Sequence, residues 1–354
     1  MSNLMMDACP RVVMVSGAYP PDVCGVGDYT ERLMTHAPAN WQLFVARDWS
    51  RRSAKDIVRR LFACRPDAVV IQYPTQGYGW SLVPHLLALL GRVTGRYKAA
   101  LALHEFSSLS GKAQAALALA SHAATQVIFT TEVERDRARG HRLFDRDVPT
   151  SVIGILSNIP QDPDPPAFGD RRIDLAYFGH IRPNKGLEDF LDVMASMRAS
   201  EPQVHIAVIG EIPTGYEAFG AMVAARCKTI GAELILGLDD TAAGRTLADV
   251  RLLYLPFHDG VSARRGSVLA GFGNGAIVAT RIGEATPAAL KDAVVACAGT
   301  TDDVAILRDM LRLAPEPAAR WQQAGRDYVA KMLPRDWGDV VSRYDKALAE
   351  MLRR

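Results

Sequence analysis

The sequence predicts an α/β protein of two doubly wound parallel-sheet domains. Short apolar runs recur through the chain, stretches with helical periodicity lie between them, and one proline-rich acidic segment interrupts the alternation near the middle. At 354 residues the chain suits two cores of ordinary size better than one.

Arg11 to Gly17 is a short apolar run ending in small residues, the pattern of a first buried parallel strand. The loop Tyr19 to Asp28 follows, then a helix from Tyr29 to His36. Trp41 to Val45 reads as a second strand and Arg51 to Phe62 as a helix. That helix carries Arg51, Arg52, Lys55, Arg59 and Arg60 against a lone Asp56. Such a face is either simply solvated or a peripheral contact for an anionic inner-membrane surface. Ala68 to Gln72, Ala99 to Leu103, Gln126 to Thr130 and Ser151 to Ile155 complete the first set of strands.

Ile159 to Gly169 holds four prolines and two aspartates, so neither a helix nor an inner strand runs through it. It reads as an interdomain linker, with domains over 1–165 and 166–333. A fresh alternation begins with strands at Ile173 to Phe178, Val204 to Gly210, Glu233 to Leu236, Val250 to Leu255 and Ala276 to Thr280. Two closing helices, Ala318 to Met332 and Trp337 to Arg353, follow by periodicity.

Composition removes several classes of function. A net charge of +2 gives no general attraction to nucleic acid. The five cysteines, Cys9, Cys24, Cys64, Cys227 and Cys297, show no metal-ligand spacing, so a reducing, cytoplasmic setting is expected. Met1 to Pro10 lacks the charge and apolar run of a signal peptide, and the apolar stretches Leu82 to Leu90 and Ala115 to Ala124 are too short and too broken to span a bilayer. A soluble protein is expected, with room for contact at a membrane surface.

Candidate site residues cluster at strand ends. The loop from Gly179 to Gly186 joins a strand to a helix and carries Arg182 and Lys185, with Pro183 stiffening it between them. In an open α/β sheet ligands bind outside the carboxyl ends of the strands, where a helix amino terminus offers free N–H groups to an anion. A diphosphate is the natural guest; the alternative is two solvated loop charges. Pro256 to Ser267 repeats the design with Arg264, Arg265 and Gly266, and Ser262 or Ser267 stands where it can cap the following helix. In the first half, Gly25 and Gly27 allow close backbone approach, but their spacing is not that of the dinucleotide fingerprint. Tyr73 to Trp80 is a polar and aromatic loop suited to gripping hydroxyl groups, or an ordinary packed loop. His104 directly follows its strand, either as a satisfied core group or as a substrate contact.

Taken together, these segments resemble retaining glycosyltransferases of the GT-B type, in the large family called glycosyltransferase family 4. The resemblance spans nearly the whole chain through Gly25-Val-Gly-Asp-Tyr-Thr30, His104, Phe178-Gly-His-Ile-Arg-Pro-Asn-Lys-Gly186, Val208-Ile-Gly210 and Asn274-Gly-Ala-Ile-Val-Ala-Thr280. It implies two Rossmann-like domains facing each other across a cleft, with residues 334–354 returning to the first domain. By the same likeness His104, Arg182 and Lys185 would be catalytic. Gly25, Gly27, Gly210, Glu211, Ser262, Arg264, Arg265, Gly266 and Ser267 would bind the donor, and Asp28, Tyr73 and Gln76 the acceptor. The donor would be a nucleotide-diphosphate sugar used as co-substrate, with no cofactor and no metal, and the acceptor a carbohydrate or a lipid-linked sugar in cell-surface polysaccharide or glycolipid assembly.

The chain also departs from that family. His180 stands where an arginine commonly follows the glycine, with Arg182 two residues on. Ser262 and Ala270 occupy the places of two glutamates eight positions apart, and Asp259 could replace the first only with a local gap. Three readings therefore stay open: glycosyl transfer; nucleotide-sugar epimerisation or a pseudo-glycosyltransferase reaction on the same fold; and a non-catalytic nucleotide-sugar-binding subunit.

Overall fold

A computed structural model describes residues 10–354 other than Val23 and Ser108, so the expectations for Met1 to Cys9 lie outside the described residues. The chain forms two compact units: one holds the residues up to Gly154 with Pro334–Arg354, the other Ile155–Leu333.

In the first unit the elements alternate as β1 (Val12–Ser16), α1 (Gly25–Thr35), β2 (Trp41–Val45), α2 (Ala54–Ala63), β3 (Ala68–Tyr73), α3 (Val83–Thr94), β4 (Lys98–Leu103), α4 (Gly111–Ser121), β5 (Gln126–Phe129), α5 (Glu132–Gly140) and β6 (Thr150–Val152). All pairings are parallel, in the order β2-β1-β3-β4-β5-β6. Every residue of β1, β3 and β5 is buried, the signature of inner strands covered on both faces. Chain direction across the sheet reverses between β1 and β3, which makes that pair the topological switch point. Ile57 and Leu61 of α2, Leu87 of α3 and Leu117 of α4 share one core with Val13, Val15, Val69, Ile71 and Leu101, so these three helices cover one face of the sheet.

The second unit runs β7 (Ile173–His180), α6 (Leu187–Ser200), β8 (Ile206–Glu211), α7 (Glu217–Ile230), β9 (Glu233–Leu236), α8 (Asp240–Ala248), β10 (Val250–Leu255), α9 (Gly266–Gly273), β11 (Ile277–Thr280), α10 (Ala288–Lys291), β12 (Val295–Ala296), α11 (Asp303–Leu311) and α12 (Pro315–Met332). Its strand order is β12-β11-β10-β7-β8-β9, again all parallel. Renumbered within the unit, this is the 3-2-1-4-5-6 order of the dinucleotide-binding folds, with its switch point between β7 and β10.

The proline-rich segment is held on this second unit. Buried Asn274 accepts from the Asp162 N–H at 2.8 Å and donates to the Pro160 carbonyl at 3.2 Å. Buried Arg171 donates to the carbonyls of Pro166, Val250 and Asn274. Burial, with Arg326 nearby, pushes its pKa down to about 10. Prolines that cannot extend a helix still leave carbonyls for a buried amide and a guanidinium to bind.

The last helix, α13 (Trp337–Arg353), belongs to the first unit, with Tyr344, Leu348 and Met351 buried. Asp336 caps it by accepting from the Asp339 N–H at 2.8 Å. Lys98 of β4 donates to the Met351 and Leu352 carbonyls at 3.2 and 3.1 Å, placing a cation on the negative end of the helix. Trp337 packs edge-on against Tyr29 of α1 at 5.3 Å, and the Trp41 indole N–H donates to Asp345.

Candidate functional site

The second unit concentrates charge at its switch point. β7 and β10 lie side by side, so the loops that leave their carboxyl ends are neighbours. They touch at Gly186, which sits at φ +77° with the Pro256 carbonyl oxygen 2.2 Å from where a Cβ would be. Only glycine admits both that backbone conformation and that approach. Gly210, at the end of β8, is similarly closed against the Gly179 carbonyl, so it joins strand ends rather than leaving space above them.

On this frame Arg182 and Lys185 are half-buried. Tyr177 of β7 is fully buried, and burial raises its phenol pKa well above the ordinary value. Arg265 and Arg182 pull it down and Glu188 pushes it up, so guanidinium groups from both loops act on one phenol. His180, at the tip of β7, titrates below its ordinary value. Loss of water is the larger cause, Arg182 and Lys185 add to it, and Glu211 opposes. His180 pairs in register with Glu211 of β8. His180 is therefore held towards its neutral form by burial and by the Arg182 and Lys185 cations, with Glu211 beside it on β8.

The β10–α9 loop is braced internally. Arg265 is ion-paired with Asp259, and its guanidinium lies 4.2 Å from the centre of the Phe257 ring. Asp189 of α6 joins Arg281 at 2.7 Å and His258 at 3.3 Å. Arg264 is half-buried in the same loop. Sequence reasoning weighed Asp259 only as a stand-in for a missing glutamate. An aromatic and an acid within eight residues of an arginine pair were the signal that they would hold one arginine in place.

The two serines do not cap α9. Its N-cap residue is Arg265, whose side chain makes no cap hydrogen bond. Ser267 falls inside the helix, while the Ser262 carbonyl accepts from the Arg265 N–H at 3.1 Å. The first turn of α9 carries no acidic residue, whereas that of α6 carries Glu188 and Asp189. A Cβ at Gly266 would meet nothing within 4 Å. The amino end of α9 is thus the better anion seat of the two: open at Gly266 and with no carboxylate in its own first turn.

The first unit presents a different switch point. α1 begins at Gly25, four residues before the sequence pattern suggests, so Gly25 and Gly27 lie in its first turn rather than in a loop. Glycine costs least at such a terminus, which periodicity alone does not reveal. Gly27 is closed on the Ala18 carbonyl, with 3.1 Å to a Cβ; at Gly25 a Cβ would meet nothing. Asp28, in the same turn, is half-buried. Tyr73 is buried, stacked on Tyr78 at 5.7 Å and edge-on to His85 at 5.4 Å, while Gln76 is exposed on a short 3-10 turn. His104 is 3% exposed, and its Nε2 is 2.6 Å from the Gln72 Oε1. The Gln72 amide donates to the Met14 sulfur, leaving its oxygen to accept from His104. Tyr29 lies edge-on to the imidazole at 4.8 Å. Of the first-unit candidates, Tyr73 and His104 are packed groups, whereas Gly25 and Gln76 face outward.

Among the described residues, no group of three or more His, Cys, Asp or Glu side chains could hold a metal ion, and no helix is long and apolar enough to cross a membrane.

Neither the family models nor the curated protein sequences match this chain. Solved structures do. The crystal structure of HepE from Anabaena in complex with UDP matches with a TM-score of 0.71 at 12% identity, over 96% of this chain and 100% of that one. A glycosyltransferase from Rickettsia africae matches at 0.68 and 11%, over 98% and 99%. A UDP-forming α,α-trehalose-phosphate synthase from Burkholderia vietnamiensis matches at 0.67 and 12%, over 98% and 100%. At such identities the likeness is one of fold alone: two parallel six-stranded units of the GT-B fold class.

Proposed function

We propose that this chain transfers a sugar from a nucleotide-diphosphate donor to a hydroxyl acceptor, with retention of configuration and without a metal. The reading rests on the Gly186–Pro256 contact, which sets the Arg182/Lys185 loop beside the Arg264/Arg265 loop and the open amino end of α9. Breaking the bond from the anomeric carbon to the phosphate oxygen builds negative charge on the leaving diphosphate while the sugar becomes oxocarbenium-like. Arg182 and Lys185 stabilise that charge, and the Gly266 and Ser267 N–H groups seat the phosphate. Arg265, held by Asp259 and Phe257, contributes a positioned field rather than a mobile contact. UDP is the favoured nucleotide, because the similar HepE was crystallised with UDP and with UDP-glucose. Family 4 membership and a place in polysaccharide or glycolipid assembly come from the motif resemblance. A lipid-linked acceptor would bring the basic face of α2 to a membrane surface.

A panel of UDP-, GDP-, dTDP- and ADP-sugars read by thermal shift tests donor binding, since a ligand that binds only the folded state raises Tm. UDP-glucose is expected to give the largest shift, and no shift from any donor would remove the reading. Nucleotide release in the presence of acceptor separates transfer from epimerisation. Binding without turnover on any acceptor would leave a sugar-nucleotide-binding subunit.

A further inference from the structure

We infer that the outer face of α3 is the element of the first unit that enters a lipid surface, and that the flanking basic side chains hold it on anionic headgroups. Leu82, Leu86, Leu89 and Val93 recur at spacings of four, three and four, so they form one stripe along α3 and the residue before it. They are 56%, 38%, 46% and 72% exposed. Val83, Leu87, Ala88 and Gly91 on the opposite side are buried in the unit's core, so α3 carries aliphatic side chains on two faces, of which the unit covers one. Trp80, 89% exposed, stands immediately before the stripe.

Charge identifies the occupant. α2 and α4 cover the same face of the sheet as α3, and Arg96, just past α3, lies over Phe62 of α2 at 4.6 Å. Around the stripe Lys55, Arg59, Arg92, Arg96 and Lys112 are exposed, and the one acid on these three helices, Asp56, is ion-paired with Arg59 and Arg60. An aliphatic ridge with an indole at its edge and a one-signed basic border matches the boundary between anionic headgroups and acyl chains. A protein partner would need polar groups to fix its register, and the ridge offers none. The inference deepens the membrane contact suggested for α2, shifting the insertion to α3. It rests on the surface of this unit and not on the chemistry of the other.

The test uses the full chain and vesicles of phosphatidylcholine with and without phosphatidylglycerol, read by flotation and by tryptophan emission. The wild type is expected to float with the anionic vesicles, with a blue shift that Trp80→Phe removes. Leu86→Asp/Leu89→Asp is expected to lower the partition at least about tenfold, and Arg59→Ala or Arg92→Ala about fivefold each, while Tm and the UDP-glucose thermal shift stay unchanged. Because all five substituted residues are exposed, unchanged Tm separates lost binding from lost folding. No flotation of the wild type on anionic vesicles would overturn the inference. So would unaltered flotation of the double aspartate variant, or a wild-type dimer in lipid-free solution that this variant dissociates. A missing UDP-glucose shift with intact flotation would instead count against the glycosyl-transfer reading alone.

Discussion

Both units are all-parallel six-stranded sheets with a switch point beside their first strand, and they treat that switch point in opposite ways. In the second, the strand ends carry half-buried cations and an open helix terminus, and the glycines serve to bring two charged loops together. In the first, the equivalent strand ends are stitched shut. Gly17 and Gly77 interlock so closely that a Cβ on Gly77 would lie 1.6 Å from the Gly17 carbonyl, while Tyr73 and His104 are sealed into the core. A shared architecture places a crevice; the side chains decide whether it holds charge.

The comparison breaks most readily at Lys185. Lys185→Ala, or Arg182→Ala, is expected to lower kcat by about a hundred- to a thousandfold, with Tm unchanged. An unaltered rate would show that the cations of the second unit take no part in the reaction. Next in size is Gly186→Ala, which forces a side chain into a left-handed backbone and against the Pro256 carbonyl. A loss of about 2–3 kcal/mol in denaturant unfolding is expected. A neutral result would mean that the two loops can separate without cost.

His104 sharpens the contrast from the other side. His104→Ala leaves the Gln72 oxygen unpaired in the core and is expected to cost about 1–3 kcal/mol of stability. A large fall in kcat with unchanged stability would instead give the first unit a substrate contact. The smallest effect concerns His180. Its pKa is held below the ordinary value in the free protein, and an incoming diphosphate raises it, so binding takes up a proton. UDP-glucose affinity should therefore strengthen as pH falls through the histidine range. His180→Asn should flatten that dependence, and calorimetry in buffers of different ionisation enthalpy would detect the proton.

Much of this was legible in the amino acids. All the inner strands announce themselves as short apolar runs, and the loops holding Arg182, Lys185, Arg264 and Arg265 are recognisable as strand-to-helix joints. What misled was local chemistry read without its neighbours. The glycines at 25 and 27 suggest a loop, yet they open a helix. Ser262 and Ser267 suggest a cap, yet Arg265 occupies that position. The prolines of 159–169 suggest an interdomain linker, and Asn274 and Arg171 fasten that segment to the second unit. In each case the deciding partner is distant in sequence or depends on where a helix begins.

The sequence by itself determined the alternation of strands and helices and the places of the charged loops, because hydrophobic period and turn chemistry act over a few residues. The tertiary structure decided which loops become neighbours, since strand order arises from pairing between distant segments such as β7 and β10. It also decided that His104 is enclosed while the leucines of α3 are left outside. Burial belongs to the packed whole, and no local pattern records which face of an apolar helix the rest of the protein will cover.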